Sequence, residues 1–364
     1  MTEYRFALPQ EEADVLDLIN CVFSMAARPH DFTRLIPKVY AHPGFSALHA
    51  VAAENGRLQG TVAMLPVSMG GLRGGYIGSV SVHARYRGQG HMKALMAMQI
   101  EEAKKRGYDF LALGGQRQRY QHYGFENCGT VLAFSFTQAS ARHALPRETS
   151  LTLREADEQY LDDMAALHAQ LPFACGRAKD RFLDTLRTYH GVPYVILRQG
   201  VFAGYLVLMD GTVTEMALRE ENDLPQALAA LMGREKKCRV LCPGGWKQRA
   251  LALSALAEGC EIQEGGMMKV LRWDRVLSAA FQMKQTALPD GKRVIGIEGA
   301  GAFSLQAKNG RMTVSSTLDA PDRILEEKQA VALFFSPLPA LLTEDPLLRA
   351  WLPLCLDIPI PDQF

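Results

Sequence analysis

One segment of this 364-residue chain limits its possible folds more than any other. An apolar run ends at Val82, a turn with glycines at positions 88 and 90 follows, and apolar spacing predicts a helix over His91–Arg106. A strand that leads through a glycine turn into a long amphipathic helix is typical of mixed α/β folds. The segment therefore predicts a strand, a glycine turn and a helix in direct succession.

The turn itself has the chemistry of an anion-binding loop. Gly88 and Gly90 permit close approach of a ligand to the backbone, and Arg85 and Arg87 add fixed positive charge. The helix that follows points unpaired N–H groups and the positive end of its dipole at the same place. A pyrophosphate would fit such a loop, although the turn alone is equally consistent with a basic surface turn that begins a helix.

A second motif gives the turn a context. The turn reads R-x-x-G-x-G from Arg85, and Y-x-x-x-G-F begins at Tyr120. In this combination the first 140 residues or so resemble the GCN5-related N-acetyltransferase (GNAT) superfamily. That resemblance implies acetyl-CoA as cosubstrate and no metal. It assigns coenzyme A binding to Val80, Ser81, Val82, Arg85, Arg87, Gly88, Gln89, Gly90, His91, Met92 and Lys93.

The resemblance also implies direct attack of an amine on the thioester, without a covalent enzyme intermediate. Tyr120 matches the general acid of the family, since a phenol with a reference pKa of about 10 can protonate a departing thiolate. The alternative is a half-buried tyrosine that only packs. His83, His91 and His122 lie near the loop in sequence, and we interpret each as a surface residue.

The order of predicted elements along the whole chain is similar to that of the Eis (enhanced intracellular survival) acetyltransferases. We therefore expect an α/β (α+β) protein with tandem GNAT folds and a small sterol-carrier-protein-like sheet-helix domain. The predicted domains are a catalytic unit at 1–145, a degenerate GNAT-like unit at 146–267 and the C-terminal domain at 268–364. By resemblance, the protein is expected to be a homo-oligomer, a hexamer in that family.

The second unit is predicted to be catalytically inactive. In place of the phosphate-binding turn it has Ala217–Pro225, which contains no glycine and carries several carboxylates. Those carboxylates would repel a pyrophosphate.

The C-terminus is predicted to take part in catalysis. In the Eis family the terminal carboxylate acts as the base, and here that carboxylate belongs to Phe364. Prolines 359 and 361 make the approach to it stiff and extended. The segment 341–364 carries more acids than bases, and Asp362 is assigned to binding a cationic, polyamine-like acceptor. The alternative is a tail that simply packs or frays.

Composition excludes some other functions. Forty basic and thirty-nine acidic residues leave a net charge of +1, which gives no argument for nucleic acid or an anionic membrane. The sequence shows no signal-peptide pattern and no apolar run long enough to span a membrane, so a cytoplasmic protein is expected. The seven cysteines form no C-x-x-C pair, which indicates reduced thiols and no metal site.

The function predicted from these features is acetyl transfer from acetyl-CoA to an amine of an aminoglycoside, a polyamine or a lysine. A non-catalytic acyl-CoA-binding or lipid-binding protein that uses its third domain is the alternative from another class. A protein N-terminal or lysine acetyltransferase is a third possibility.

Overall fold

The computed structural model describes residues 1–26, 29–284 and 288–364, which form three β-sheets of seven, seven and four strands. In chain order the strands are β1 (Glu3–Phe6), β2 (His49–Glu54), β3 (Arg57–Met69), β4 (Leu72–Val82), β5 (Phe110–Leu113), β6 (Glu126–Cys128), β7 (Val131–Thr137), β8 (Leu151–Glu155), β9 (Val192–Arg198), β10 (Val201–Met209), β11 (Thr212–Leu218), β12 (Lys237–Pro243), β13 (Gly259–Gln263), β14 (Gly266–Val270), β15 (Gly291–Ile297), β16 (Gly301–Lys308), β17 (Arg311–Thr317) and β18 (Arg323–Leu325).

Helices cover the sheets. They are α1 (Glu12–Ala26), α2 (Phe32–Leu35), α3 (Pro37–Tyr40), α4 (His91–Lys105), α5 (Arg117–Tyr120), α6 (Gln138–Ala144), α7 (Leu161–His168), α8 (Phe182–Leu186), α9 (Leu224–Met232), α10 (Lys247–Leu256), α11 (Trp273–Met283), α12 (Glu327–Phe335) and α13 (Pro346–Trp351). Helix α4 agrees with the prediction, because its apolar residues Leu95, Met96 and Ile100 are buried against the first sheet. Within the described ranges, no helix has the length and apolar character that crossing a membrane requires.

The first sheet opens between two of its parallel strands. Its order is β1-β2-β3-β4-β5-β14-β6, and the hydrogen-bonded register of β4 with β5 runs only from Gly74–Phe110 to Ile77–Leu113. Beyond this point β5 has ended, while β4 continues to Val82 with β3 on its other side. The edge of β4 from Gly78 onwards therefore faces a gap in the sheet.

The first two sheets exchange strands across the predicted domain boundaries at 145 and 267. Strand β7, whose residues fall in the predicted first unit, lies between β13 and β12 in the second sheet. Strand β14, which spans the predicted boundary at 267, lies between β5 and β6 in the first sheet. The units at 1–145 and 146–267 are therefore interlocked through main-chain hydrogen bonds.

The C-terminal region is a four-stranded sheet, ordered β17-β16-β15-β18, with helices packed on it. Arg323–Leu325 form β18, which pairs in parallel with β15. The last residues leave this region and run back toward the first sheet, with Leu354, Leu356 and Phe364 buried.

A buried carboxyl group lies where this tail crosses the junction of the first two sheets. Asp357 is 4% exposed, and a methyl group on Gly265 would lie 2.6 Å from its Oδ1. Gly129, which lies next to Gly265, approaches the same oxygen. Burial raises the pKa of Asp357 to about 7, while the nearby Thr130 backbone amide opposes the rise. The ionised carboxylate is therefore disfavoured in the folded state.

Asp357→Asn is expected to stabilise the protein at pH 8 by about 2–4 kcal/mol. The reference pKa of an unfolded aspartate is about 3.9, so ionisation destabilises the fold increasingly above that pH and fully above about 7. The gain should disappear as the pH falls to 4. Urea denaturation at pH 4, 6 and 8 measures it, with exposed Asp17→Asn as the control. A difference that does not vary with pH would contradict the expectation.

Candidate active site

The turn after β4 has the geometry of an open cradle. Gly88 and Gly90 have φ values of 80° and 84°, in the left-handed region that favours glycine, and Gly90 is the N-cap of α4. A methyl group on either glycine would meet no protein atom within 4 Å. These glycines are thus required by the backbone path, and the space in front of them is free for a ligand.

A groove of about 510 Å³ lies in front of this cradle. The predicted coenzyme-binding residues that line it are Val80, Val82, Arg87, Gly88, Gly90, His91 and Met92. The predicted residues outside its lining are Ser81, which is buried, and Arg85, Gln89 and Lys93, which are exposed. The residues that the sequence reasoning missed are Val22, Phe23, Tyr86 and Arg119.

The groove suits an anionic ligand with an apolar portion. Arg87 and Arg119 bring two guanidinium groups to it, and the first turn of α4 presents unpaired backbone N–H groups. The prediction that His91 lies on the surface is wrong, because its side chain is 3% exposed and Nδ1 bonds the Tyr4 hydroxyl at 3.0 Å. Its Nε2 is buried without a hydrogen-bond partner among the described residues, so a ligand in the groove could supply one.

The C-terminus reaches the gap between β4 and β5. A methyl group on Gly78 would lie 2.6 Å from the main-chain oxygen of Phe364 and 2.9 Å from its ring. Phe364 is only 6% exposed. The terminal carboxyl group is therefore held against β4. Only a residue without a side chain at position 78 leaves room for it.

A directed hydrogen-bond chain lies beside this position. The Thr61 hydroxyl donates to the Ala50 carbonyl at 3.1 Å, so it accepts from His49 Nδ1 at 2.8 Å. Burial lowers the pKa of His49 to about 3, so the ring is neutral and its Nε2 accepts from Tyr40 at 3.1 Å. The Tyr40 oxygen then accepts from the Ser79 hydroxyl at 2.7 Å. These hydrogen bonds hold the side chain of Ser79 in place, and the φ of 50° at Ser79 is unusual for a residue within a strand.

Tyr120 lies at the end of α5, in the same hydrophobic cluster as Ile77, Leu113 and the partly buried Val80. It is 6% exposed, and burial raises the pKa of its phenol, although the charge of Arg119 opposes the rise. A phenol with a raised pKa keeps its proton at neutral pH. It is thus in the correct ionisation state for a proton donor.

Asp362 is held in a buried ion-pair network. Its two carboxylate oxygens accept from Arg177 Nε at 2.8 Å and Nη2 at 2.6 Å. The same guanidinium, whose side chain is 2% exposed, also binds both oxygens of Glu215. The coulombic attraction of Asp362 and Glu215 holds the pKa of Arg177 well above its usual range, even though burial acts in the opposite direction. The network attaches the tail to the second sheet.

The other acids of segment 341–364 have partners or are buried as well. Asp345 pairs with Arg293, and Glu344 pairs with Arg349. Asp357 is buried as described above. The acidic rim predicted from these four acids therefore gains no support, since none is an open, unpaired carboxylate.

The corresponding place in the second unit is occupied by protein. Strands β11 and β12 pair only at Thr212–Arg239 and Val213–Val240, so they also separate. Buried Arg249 lies there, donating to the Met216 carbonyl of β11 at 3.3 Å and to Glu221 at 2.7 Å. Its guanidinium is also 4.2 Å from the Trp246 ring centre. The Arg249 guanidinium is therefore bound by other groups of the protein.

Lys38 and Tyr40 of α3 are further site residues that sequence reasoning missed. Lys38 Nζ donates to the carbonyls of Pro361 and Gln363, and the Tyr40 ring packs against Phe364 with centroids 6.0 Å apart. No motif marks them, because their partners lie more than 300 residues away in sequence. In the described part of the chain, no group of three or more histidine, cysteine, aspartate or glutamate side chains is arranged to hold a metal ion.

Comparison with known proteins bears on the first sheet and on the whole fold. Residues 3–128 match the family model described as an acetyltransferase (GNAT) domain. None of the curated proteins is significantly similar in sequence.

Solved structures resemble the chain over its full length. A GCN5-related N-acetyltransferase from Kribbella flavida superposes with a TM-score of 0.70 at 18% identity, covering 100% of this chain and 98% of the other. Eis1 from Mycobacterium abscessus gives 0.69 at 15% identity, covering 100% of both chains. A GCN5-related N-acetyltransferase from Anabaena variabilis gives 0.69 at 17%, again over 100% of both. At these identities the likeness establishes the fold.

The family match and the fold together identify the class of enzyme. The two seven-stranded sheets with a third, smaller sheet match tandem GNAT folds that carry a C-terminal domain. The groove and the gap between β4 and β5 both lie within the matched residues 3–128. Residues 3–128 carry the match to the acetyltransferase (GNAT) domain, and that match makes the chain an enzyme of the acetyltransferase class.

Proposed function

We propose that this protein transfers the acetyl group of acetyl-CoA directly to an amine. The observation that carries the proposal is the alignment of three features along one strand. The anion-binding cradle follows the end of β4, the gap beside β5 begins at Gly78, and the terminal carboxyl group of Phe364 lies on that glycine. A thioester bound between the cradle and the gap would have its carbonyl close to the C-terminus.

In the proposed reaction the amine nitrogen forms a bond to the acetyl carbon and the carbon–sulfur bond breaks. The Phe364 carboxylate takes the proton that the amine must lose. Tyr120 gives its proton to the departing sulfur, and the phenol is restored from solvent. Arg87, Arg119 and the N-terminus of α4 hold the diphosphate, while His91 Nε2 is available to a further polar group.

We propose one binding site per chain, in the first unit. The support comes from Arg249, which occupies the opening between β11 and β12 and is already bonded to Glu221 and Met216. The open glycine cradle of residues 88–90 has no counterpart in the second unit, where a turn with acidic residues begins at Glu221.

Calorimetry with coenzyme A tests the binding site. One site per chain is expected, and Arg87→Ala and Arg119→Ala should each weaken binding about tenfold, since each removes a charge-assisted contact to phosphate. Arg85→Ala is the matched control, because Arg85 is exposed on the same turn but does not line the groove. A protein without measurable affinity for coenzyme A would contradict the proposal.

Release of free thiol then tests the reaction. Purified protein and acetyl-CoA should release thiol in the presence of at least one of a polyamine, an aminoglycoside and a lysine-containing peptide. Coenzyme A binding without transfer to any of these amines, together with binding of long-chain lipids, would favour the non-catalytic alternative.

A further inference from the structure

A buried lysine grips the C-terminal segment. Lys38 is 6% exposed, and its Nζ donates to the carbonyl of Pro361 at 2.6 Å and of Gln363 at 2.5 Å. The turn at Ile360–Asp362 uses the carbonyls of Pro359 and Ile360 for its own hydrogen bonds. Lys38 thus binds two main-chain acceptors that the turn does not use, one on either side of Asp362.

Burying an ammonium group is unfavourable, and the surrounding charges compensate only in part. Burial lowers the pKa of Lys38 to about 7. Asp362 favours the charged form, the nearby Cys175 thiol acts in the same direction, and Arg177 acts against it. Because Asp362 is already bonded to Arg177, Lys38 forms no ion pair of its own with it. Among the residues that the structure describes, Lys38 Nζ donates its hydrogen bonds to the tail carbonyls.

The same short helix holds the terminal residue from its other side. The Tyr40 ring lies 6.0 Å from the Phe364 ring, with 31° between the planes. The Tyr40 hydroxyl also accepts from Ser79, the neighbour of Gly78 on which the terminal carboxyl group rests. Helix α3 therefore contacts the tail, the terminal ring and the strand beneath the carboxyl group.

From these contacts we infer that α3 is a clamp that positions the Phe364 carboxyl group for proton transfer, with Lys38 and Tyr40 as positioning residues. The inference rests on the proposed function, in which that carboxylate is the base. A four-residue helix placed far from the C-terminus in sequence would have little other reason to bury a lysine against main-chain carbonyls.

The test uses the full chain with Lys38→Met, which keeps the side-chain length and removes the donors. Turnover (kcat) should fall about 10- to 100-fold, because a misplacement of about 1 Å at a reacting group costs that much. KM for acetyl-CoA should stay within twofold, since Lys38 does not line the groove. Lys38→Gln, which keeps N–H donors, should recover part of the lost turnover. Exposed Lys179→Met is the matched control and should behave as wild type.

Carboxypeptidase A gives a second readout, because it acts on the C-terminal residue itself. This protease removes exposed C-terminal aromatic residues, so mass spectrometry follows the loss of Phe364 directly. Release should be at least several-fold faster in Lys38→Met than in wild type. If Lys38→Met does not fold, Tyr40→Phe decides instead, because it keeps the ring against Phe364 and removes the hydroxyl bonds to Ser79 and His49. Lower kcat with unchanged KM for acetyl-CoA is expected.

The clamp would be overturned if folded Lys38→Met kept wild-type turnover. It would also be overturned if this variant lost turnover while carboxypeptidase A released Phe364 no faster than from the wild type. The proposed base is tested separately by extending the chain beyond Phe364. If the extension abolishes turnover but Lys38→Met and Tyr40→Phe do not change it, the clamp fails and the base stands. If the extension has no effect, the role of the carboxylate fails.

Discussion

Adding two residues after Phe364 is expected to lower kcat by a factor of about 10²–10⁴, the range for losing a general base. The extended chain can no longer place a free carboxylate on Gly78, where a methyl group would already lie 2.6 Å from the Phe364 oxygen. The Phe364 residue is also buried, so extra residues would displace it from the gap. Coenzyme A affinity should change little, because no tail residue lines the groove. Steady-state kinetics and calorimetry measure the two effects.

A C-terminal amide separates the two causes of this loss. The amide has nearly the size of the carboxylate and keeps the tail in place, but it cannot accept a proton. Turnover should therefore fall with the amide as it does with the extension. The same two residues added before Met1 serve as the control, since the side chain of Met1 is fully exposed. An amidated protein with wild-type kcat would rule out the carboxylate as the base.

Local sequence signals explain several hairpins of the fold. Asn55-Gly56, Gln199-Gly200 and Asn309-Gly310 each connect two antiparallel strands, and their residues have the positive φ values that such turns require. The exchange of β7 and β14 between the sheets was not predictable in this way. Each strand pairs with segments far along the chain, and alternation of apolar residues defines which side of a strand is buried but not which sheet it joins.

The candidate site likewise has one part that the local sequence predicts and another that only the folded chain assembles. The cradle at Gly88–Gly90 is contiguous in sequence, so its glycines, arginines and helix could be interpreted together. Lys38 could not, because a lysine in a short segment is usually solvated, and only the folded chain brings it to Pro361. Asp362 differs from Lys38, because the sequence did single it out but assigned it a different role. Its charge suggested a substrate contact, whereas the fold brings it to Arg177, 185 residues away in sequence, as an ion-pair partner.

Tyr120→Phe is expected to lower kcat about 10²–10³-fold, because it removes a proton donor and leaves the ring in place. Coenzyme A affinity should be unchanged, since Tyr120 packs beside the groove and does not line it. Burial raises the pKa of Tyr120 above its usual value of about 10, so the donor stays protonated through neutral pH. The wild-type decline in kcat caused by loss of this proton should thus begin only above about pH 10 and be absent from the variant.

Tyr123→Phe is the matched control for this change. Tyr123 lies three residues later in the same motif region, is only half-buried and loses the same atom on substitution. Kinetics with an amine of low pKa keep the acceptor unprotonated across the pH range, so that the remaining pH dependence reports the enzyme. If Tyr120→Phe and Tyr123→Phe turned over equally fast, proton donation would have to come from another group or from water, since the thiolate still leaves.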